Sequence, residues 1–372
     1  MAAVLHSVLS GEHTVADIMK ATGLTRPAAE TVVDDLIQTG WVETANSPAK
    51  PQPLGRPASY FRLSSTAGNV LAIDLGAHHI SAMVLTHAGE TIARAETEIH
   101  ENAPAEERLA LAETLITRIL PQSPNRILIA GIASPGVISD GTVSYFGGHG
   151  MPGWKGINLE KHFSNFLSTK VVVAGDCALG AQGESWRGVA KGKRDVLYVL
   201  AGRRTGAANV IDGRVHAGHA GAAGLVGELP ALRWRELEDE SFAAHIYGSK
   251  PLLRTEFFPL AAQGDPQALK AVAEYAEALS LGINAMILAT APETVVIGGR
   301  FAQYAPLFIP LLKKRIEQYC PFPPEVLASQ LDGEEILLGA ARFALNTLAD
   351  RITDRVNNSD YFPAPTVESL WN

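Results

Sequence analysis

Apolar residues at Val15, Ile18 and Met19 recur at helical spacing, with Thr14 placed to cap the segment and Gly23-Leu24 breaking it. A second stripe follows at Ala29, Val32, Val33, Leu36 and Ile37. Thr25 stands where a cap belongs, Pro27 falls in the first turn, and Gly40 closes the run. Trp41-Val42-Glu43 opens a strand. A Pro-rich loop from Ala45 then leads through Gly55-Arg56-Pro57 to an alternating strand at Tyr60–Leu63. Helix, short glycine turn, helix and a two-stranded wing predict a winged helix-turn-helix over residues 1–63, followed by a linker over 64–69. In that motif the start of the second helix, Thr25, Arg26, Pro27 and Thr31, faces DNA, and Arg56 sits on the wing.

The pattern then changes to apolar strands that end in an acid or a glycine. Val70 to Leu85 is apolar except for Asp74, Gly76 and the pair His78-His79, which predicts a buried hairpin with a tight turn. Glu106 to Leu120 reads as an amphipathic helix, and Ile127 to Ile132 as a buried strand running into the turn Ser134-Pro135-Gly136. Val171 to Ala174 ends at Gly175-Asp176 and opens a helix. Asp195 to Ala201 leads into Gly202-Arg203-Arg204-Thr205-Gly206. A long helix over 265–291, a strand ending at Gly298-Gly299 and a last helix over 336–350 complete the series. Strands alternating with helices predict an α/β body of two lobes: 70–175, completed by the last helix, and 176–335. The polar, Pro-containing 351–372 reads as a loosely held tail.

Composition narrows the classes. The 372 residues are 47% hydrophobic with 34 Gly and 22 Pro, a soluble α/β composition, and no apolar run in the sequence suggests a membrane span or a leader, so a cytoplasmic protein is expected. Cys177 and Cys320 are too few for a disulfide framework or a thiolate zinc site. The net charge of −8 excludes a global electrostatic case for nucleic acid, so any DNA contact is local. Through Arg62 the cations are Lys20, Arg26, Lys50, Arg56 and Arg62, against Glu12, Asp17, Glu30, Asp34, Asp35 and Glu43. Most of the cations fall at the start of the second helix or in the wing, so the field is polarised although the sum is not basic.

Gly55-Arg56-Pro57 before an aromatic strand, a short linker and then Asp74-x-Gly76 together resemble transcriptional regulators of the ROK (repressor, open reading frame, kinase) family, and Met151-Pro-Gly153-Trp154 adds to the likeness. The resemblance covers nearly the whole chain. It implies an actin-like, ribonuclease H-like sugar-kinase fold behind the winged helix, a homodimer or tetramer, operator DNA as partner and a sugar or sugar derivative as effector. It also implies roles. Asp74, Gly76, Gly206, Gly298 and Gly299 would mark the nucleotide side, and Ser134, Pro135, Gly136, Asp176 and Glu228 the sugar side. Asp176 matches the kinase general base, and as an acid opening a helix it also suits a cap.

Departures from the family pattern are concentrated at the chemistry. His78 replaces a phosphate-loop hydroxyl, Arg203 and Arg204 interrupt the second phosphate turn, and Gly175 replaces the sugar-binding Asn. With Glu228 read as the acid of the family phrase Gly-Glu-x-Gly-His, Pro230 and Ala231 replace its second Gly and its zinc-binding His, and no cysteine cluster follows. The expectation is therefore a sugar-responsive regulator, a repressor, that is not an enzyme, with no zinc and no ATP. The competing reading is an active sugar kinase with an appended DNA-binding domain.

Overall fold

The computed structural model describes residues 12–45, 59–64, 66–122, 126–238, 242–247, 254–358 and 362–372, with Val4 and Ser7. The wing tip with Lys50, Gly55, Arg56 and Pro57 lies outside the described residues. From His13 the chain forms strand β1 (His13–Thr14) and helix α1 (Val15–Thr22). Thr14 Oγ1 accepts from the Asp17 amide at 3.2 Å while Asp17 Oδ2 accepts from the Thr14 amide at 2.9 Å. This reciprocal box satisfies two end groups of a helix too short to be stable alone. Gly23, at φ +73°, ends it. Helix α2 (Arg26–Thr39) buries Ala29, Val33 and Leu36, leaves Ile37 at the edge of the stripe, and ends at Gly40 with φ +89°. Thr25 holds the cap position as expected, but its side chain makes no capping hydrogen bond. Strands β2 (Val42–Ala45) and β3 (Tyr60–Leu63) complete an antiparallel sheet in the order β1-β3-β2.

Behind it stand two lobes with the same strand plan. In the first, β4 (Asn69–Asp74), β5 (His79–Leu85) and β6 (Thr91–Glu98) form an antiparallel meander; β7 (Ile127–Ser134) and β10 (Lys170–Gly175) join parallel to β4, giving the order β10-β7-β4-β5-β6. In the second, β11 (Val196–Ala201), β12 (Thr205–Ile211) and β13 (Arg214–Val215) are the meander; β14 (Thr294–Gly298) and β15 (Glu325–Ala328) lie parallel to β11. This repeated plan is the actin-like sugar-kinase fold. Helix α3 (Ala105–Ile119) covers the first sheet, and Arg108, wholly buried on it, donates from Nη1 to the Gly76 carbonyl at 2.6 Å. Helix α4 (Leu159–Leu167) follows the small hairpin of β8 (Val137–Ser139) and β9 (Thr142–Tyr145). In the second lobe one helix, Pro266–Thr290, is long and apolar enough by composition to cross a membrane, contrary to the sequence expectation, yet 67% of its apolar window is buried inside the lobe. It is the core helix there.

Helix α5 (Asp176–Arg187) crosses the helix Glu335–Asn357, here α6, where the lobes meet. Glycines permit the crossing: a Cβ on Gly339 would lie 1.7 Å from the Leu179 carbonyl oxygen, and one on Gly183 1.9 Å from that of Glu335.

The expected tail is a structural element. Helix α6 continues to Asn357, beyond the expected 350, and a short helix α7 (Val367–Trp371) follows. Phe362 and Leu370 are buried with Ile18, Leu36 and Trp41 of the winged helix and with Val70, Leu128 and Leu348 of the first lobe, in one continuous core. Trp41 Nε1 donates to the Pro363 carbonyl at 2.6 Å, and the ring meets Phe362 edge-on at 6.1 Å between centroids. His87, on the turn after β5, packs on its other side at 5.4 Å. Neither nitrogen of this buried ring has a hydrogen-bond partner among the described residues, and burial lowers its pKa to about 4, so it packs as a neutral ring.

Candidate functional site: a cleft between the lobes

A cavity of about 540 Å³ opens between the lobes. Pro135 and Gly136 from the end of β7, Asp176 at the start of α5, Gly206 from β12 and Glu228 all line it. Ser134 does not. Its hydroxyl is buried behind the turn, accepting from Trp154 Nε1 at 3.0 Å and donating to the Pro135 carbonyl. Ser134 therefore shapes the turn rather than facing a ligand. Gly136 is required at φ +99°, because a Cβ would stand 2.5 Å from the Tyr145 carbonyl oxygen.

Asp176 Oδ1 accepts from the Cys177 amide at 2.7 Å, so the acid also serves its own helix start. Withdrawal from water is the main reason its pKa rises to about 6, and the nearby Asp74 adds to the shift. Glu228 is not a free acceptor. Arg235 pairs with it and also with Glu238 at 3.1 Å, and the Tyr145 hydroxyl hydrogen-bonds Glu228, which holds the phenol above its ordinary pKa. Arg204 reaches from the second lobe to the first, donating to the His149 carbonyl, with its guanidinium 4.5 Å from the centre of the Phe146 ring. Phe146-Gly147-Gly148 lies so close to these groups that a Cβ on Gly147 would meet Arg235, and one on Gly148 would meet Arg204. Arg204, Arg235, Tyr145 and Glu238 were not singled out as sugar-site residues in the sequence.

On the nucleotide side Gly206 lines the cavity, while Asp74, Gly76, Gly298 and Gly299 do not. Asp74 is buried and its Oδ2 meets His79 Nε2 at 3.0 Å; that hydrogen bond, more than charge, raises the His79 pKa. The Gly76 carbonyl is taken by Arg108. His78 bridges the lobes: Nδ1 lies 3.1 Å from Arg203 Nη1, and Nε2 lies 3.4 Å from Glu101. Burial, then the charge of Arg203, lowers its pKa to about 4, which keeps it neutral. At the Gly-Gly turn the Gly299 amide donates to Glu335 Oε1 at 2.6 Å, and Gly298 is needed because a Cβ would strike the Tyr198 ring. Asp74, the Gly76 carbonyl, His78 and the Gly299 amide are thus engaged by protein groups, whereas the Thr205 hydroxyl, beside Gly206 on the cavity, has no hydrogen-bond partner among the described residues.

At the start of α2, Arg26 is 73% exposed and pairs with Glu30 at 2.9 Å, beside exposed Pro27 and Thr31. Thr31 Oγ1 donates to the Pro27 carbonyl within its own helix. An exposed pair of this kind is worth little, so it yields readily to a phosphate or a base. Arg26→Ala is expected to weaken binding to a specific operator by about 1–3 kcal/mol if Arg26 reads a base. A gel shift at fixed salt measures it, and an unchanged dissociation constant removes Arg26 from the interface.

The ROK family model matches residues 70–347, the whole two-lobed body. The chain belongs to the ROK family. Among curated relatives, the xylose repressor of Caldicellulosiruptor bescii is 24% identical over 81% of this chain and 82% of its own length. Among solved structures, a ROK family transcriptional regulator described as a homolog of E. coli MLC protein superposes with TM-score 0.71, at 19% identity, over 94% of this chain and 96% of that one. A ROK hexokinase from Thermus thermophilus superposes with TM-score 0.62, at 22% identity, covering 76% of this chain and 99% of its own.

The family phrase Gly-Glu-x-Gly-His fits better three residues earlier than the sequence reading placed it. Gly224-Leu225-Val226-Gly227-Glu228 keeps both glycines, and Gly224 is obligatory, with φ +88° and a would-be Cβ 2.3 Å from the Ala207 carbonyl oxygen. Glu228 then occupies the histidine position and Leu225 the glutamate position. Neither register supplies a histidine. Cys320 is buried in the second-lobe core, with Sγ 3.6 Å from Asn284 Oδ1, so the donor set does not fit a cysteine-histidine zinc site.

Proposed function

We propose that this ROK protein is a DNA-binding transcriptional repressor whose kinase-like body senses a sugar or sugar derivative and carries out no phosphoryl transfer. The supporting observation is one arrangement. A winged helix shares a continuous core with a two-lobed body whose sugar-side cleft is open and whose nucleotide side carries the contacts His78–Arg203, His79–Asp74 and Glu335–Gly299. In this reading the effector sits against Asp176, between Pro135-Gly136 and Arg204. Groups from both lobes then contact it, so it stabilises one lobe angle over others. Helix α6 spans the hinge at one end and touches the winged-helix core at the other, giving the angle a rigid route to the DNA-binding domain. A homodimer would present two winged helices to a two-fold operator.

Calorimetry with a sugar panel tests the sensor role. Asp176→Ala is expected to weaken any binding sugar at least tenfold, because a buried sugar hydroxyl loses a charged acceptor. Equal affinity in wild type and variant would place the effector elsewhere.

The retained Asp176, whose pKa burial raises to about 6, favours the kinase reading, since a general base works in that range. A base alone does not transfer phosphate, which depends on positioning and charge neutralisation of the nucleotide. The expected results are no sugar-dependent ADP release with hexoses or amino sugars, and no stoichiometric zinc by elemental analysis. Turnover above background would establish the kinase instead.

A further inference from the structure

The cleft is larger and less polar than one sugar ring requires. Its charged groups, Asp176, Arg204, Glu228, Arg235 and Glu238, are linked to one another through Phe146-Gly147-Gly148 and Tyr145 or act on one another through their charges. The same cavity continues along Val137, Ile138, Val215 and Leu225, four side chains that neither donate nor accept a hydrogen bond, with Ser139, Asp140 and His216 lining it beside them. Both lobes build this wall. Strand β8 contributes Val137 and Ile138, and the second-lobe turn at Gly221 closes on them so tightly that a Cβ there would stand 2.6 Å from the Ile138 carbonyl oxygen. Leu225 is 39% exposed, a large apolar side chain facing the cavity, at the position where the family phrase has a carboxylate. An exposed leucine lining a cleft is poorly matched to a ligand that carries hydroxyls on every side, because a hydroxyl laid on the four apolar side chains themselves loses its water without gaining a partner from them. It suits an apolar group. A volume of about 540 Å³ lies within the range for ligands of drug size, which exceed a single pyranose.

We propose that the effector is a glycoside: a sugar ring held by Asp176 and Arg204, carrying an apolar aglycone that lies along Val137, Ile138, Val215 and Leu225. This rests on the sugar-sensing reading and adds to it the chemical class of the second half of the ligand. The aglycone wall includes residues of both lobes, so an apolar substituent fixes the lobe angle more firmly than the sugar alone.

The test is calorimetry on the full-length protein with matched pairs, each free sugar against its α- and β-phenyl glycoside, for glucose, galactose, mannose and xylose. At least one phenyl glycoside is expected to bind ten times or more tightly than its parent sugar. In Leu225→Asp the two affinities are expected to converge, and the partial exposure of Leu225 makes this variant foldable, which circular dichroism verifies. If a free sugar binds as tightly as all its phenyl glycosides, the aglycone proposal fails while the sugar reading stands. If phenyl glycosides keep their full advantage in Leu225→Asp, the apolar group lies elsewhere and the proposed wall is wrong. If neither sugars nor glycosides bind, the sugar-sensing reading fails and this proposal fails with it.

Discussion

Trp41→Ala is expected to destabilise the protein by about 3–5 kcal/mol, the usual range for removing a fully buried large aromatic, and to cut the communication between effector and operator. Trp41 is fully buried and holds three parts of the chain at once: the winged helix that bears it, the first lobe through His87, and the C-terminal segment through Phe362 and Pro363. Truncation leaves a cavity that cannot collapse without separating these parts. It also strands the Pro363 carbonyl and exposes a ring at His87 that has no polar partner of its own. Urea unfolding measures the first effect, and operator release across an effector titration the second. Trp41→Phe separates the contributions: it keeps most of the packing and loses the hydrogen bond, with an expected cost of about 1 kcal/mol. A Trp41→Ala protein with an unchanged unfolding midpoint and an unchanged effector response would show that this junction carries neither stability nor signal.

The importance of Trp41 was not legible in the sequence, and the reason is physical. Its local pattern announces a strand, which is correct as far as it goes, but its partners stand at His87 and Phe362, and sequence spacing carries no information about such distant contacts. The same limit explains the tail. Residues 351–372 are polar with prolines, a loop composition, yet Phe362 and Leu370 find apolar partners supplied by two other domains. By contrast, elements that stabilise themselves were readable: the cap at Thr14, the glycine stops at Gly23 and Gly40, and the β-branched strands running to Asp74 and to Gly175-Asp176.

The cleft shows the same division. Pro135, Gly136, Asp176 and Glu228 were legible because strand ends and tight turns have local signatures, and the structure brings them to one cavity. Arg235 carries no such signature. It becomes a site residue only because the short turns after Glu228 fold it back onto that carboxylate, next to Tyr145 from the other lobe. Arg203 and Arg204 were legible as an interruption of the phosphate turn, but what they do instead required the fold. Each crosses the gap between the lobes, Arg203 to His78 and Arg204 to His149.

Gly339→Ala tests whether the hinge itself is set by backbone contact, and the outcome turns on two opposed magnitudes. Alanine in a helix interior is favoured over glycine by about 1 kcal/mol, so propensity alone predicts a more stable protein. The structure predicts the opposite. A Cβ at Gly339 would lie 1.7 Å from the Leu179 carbonyl oxygen on α5, and this is backbone, which cannot rotate aside as a flexible side chain would. The helices would have to separate, and separation also disturbs Glu335, whose carboxylate accepts from the Gly299 amide and the Tyr198 hydroxyl. Overpacking of this kind costs about 1–3 kcal/mol, and more where backbone must move. A net loss of about 2 kcal/mol or more is therefore expected, with the lobe angle, and with it the effector response, altered although Gly339 touches neither ligand nor DNA. Thermal unfolding decides the sign. A raised melting temperature would mean that the helices separate at little cost, and that close contact of α5 with α6 does not define the hinge.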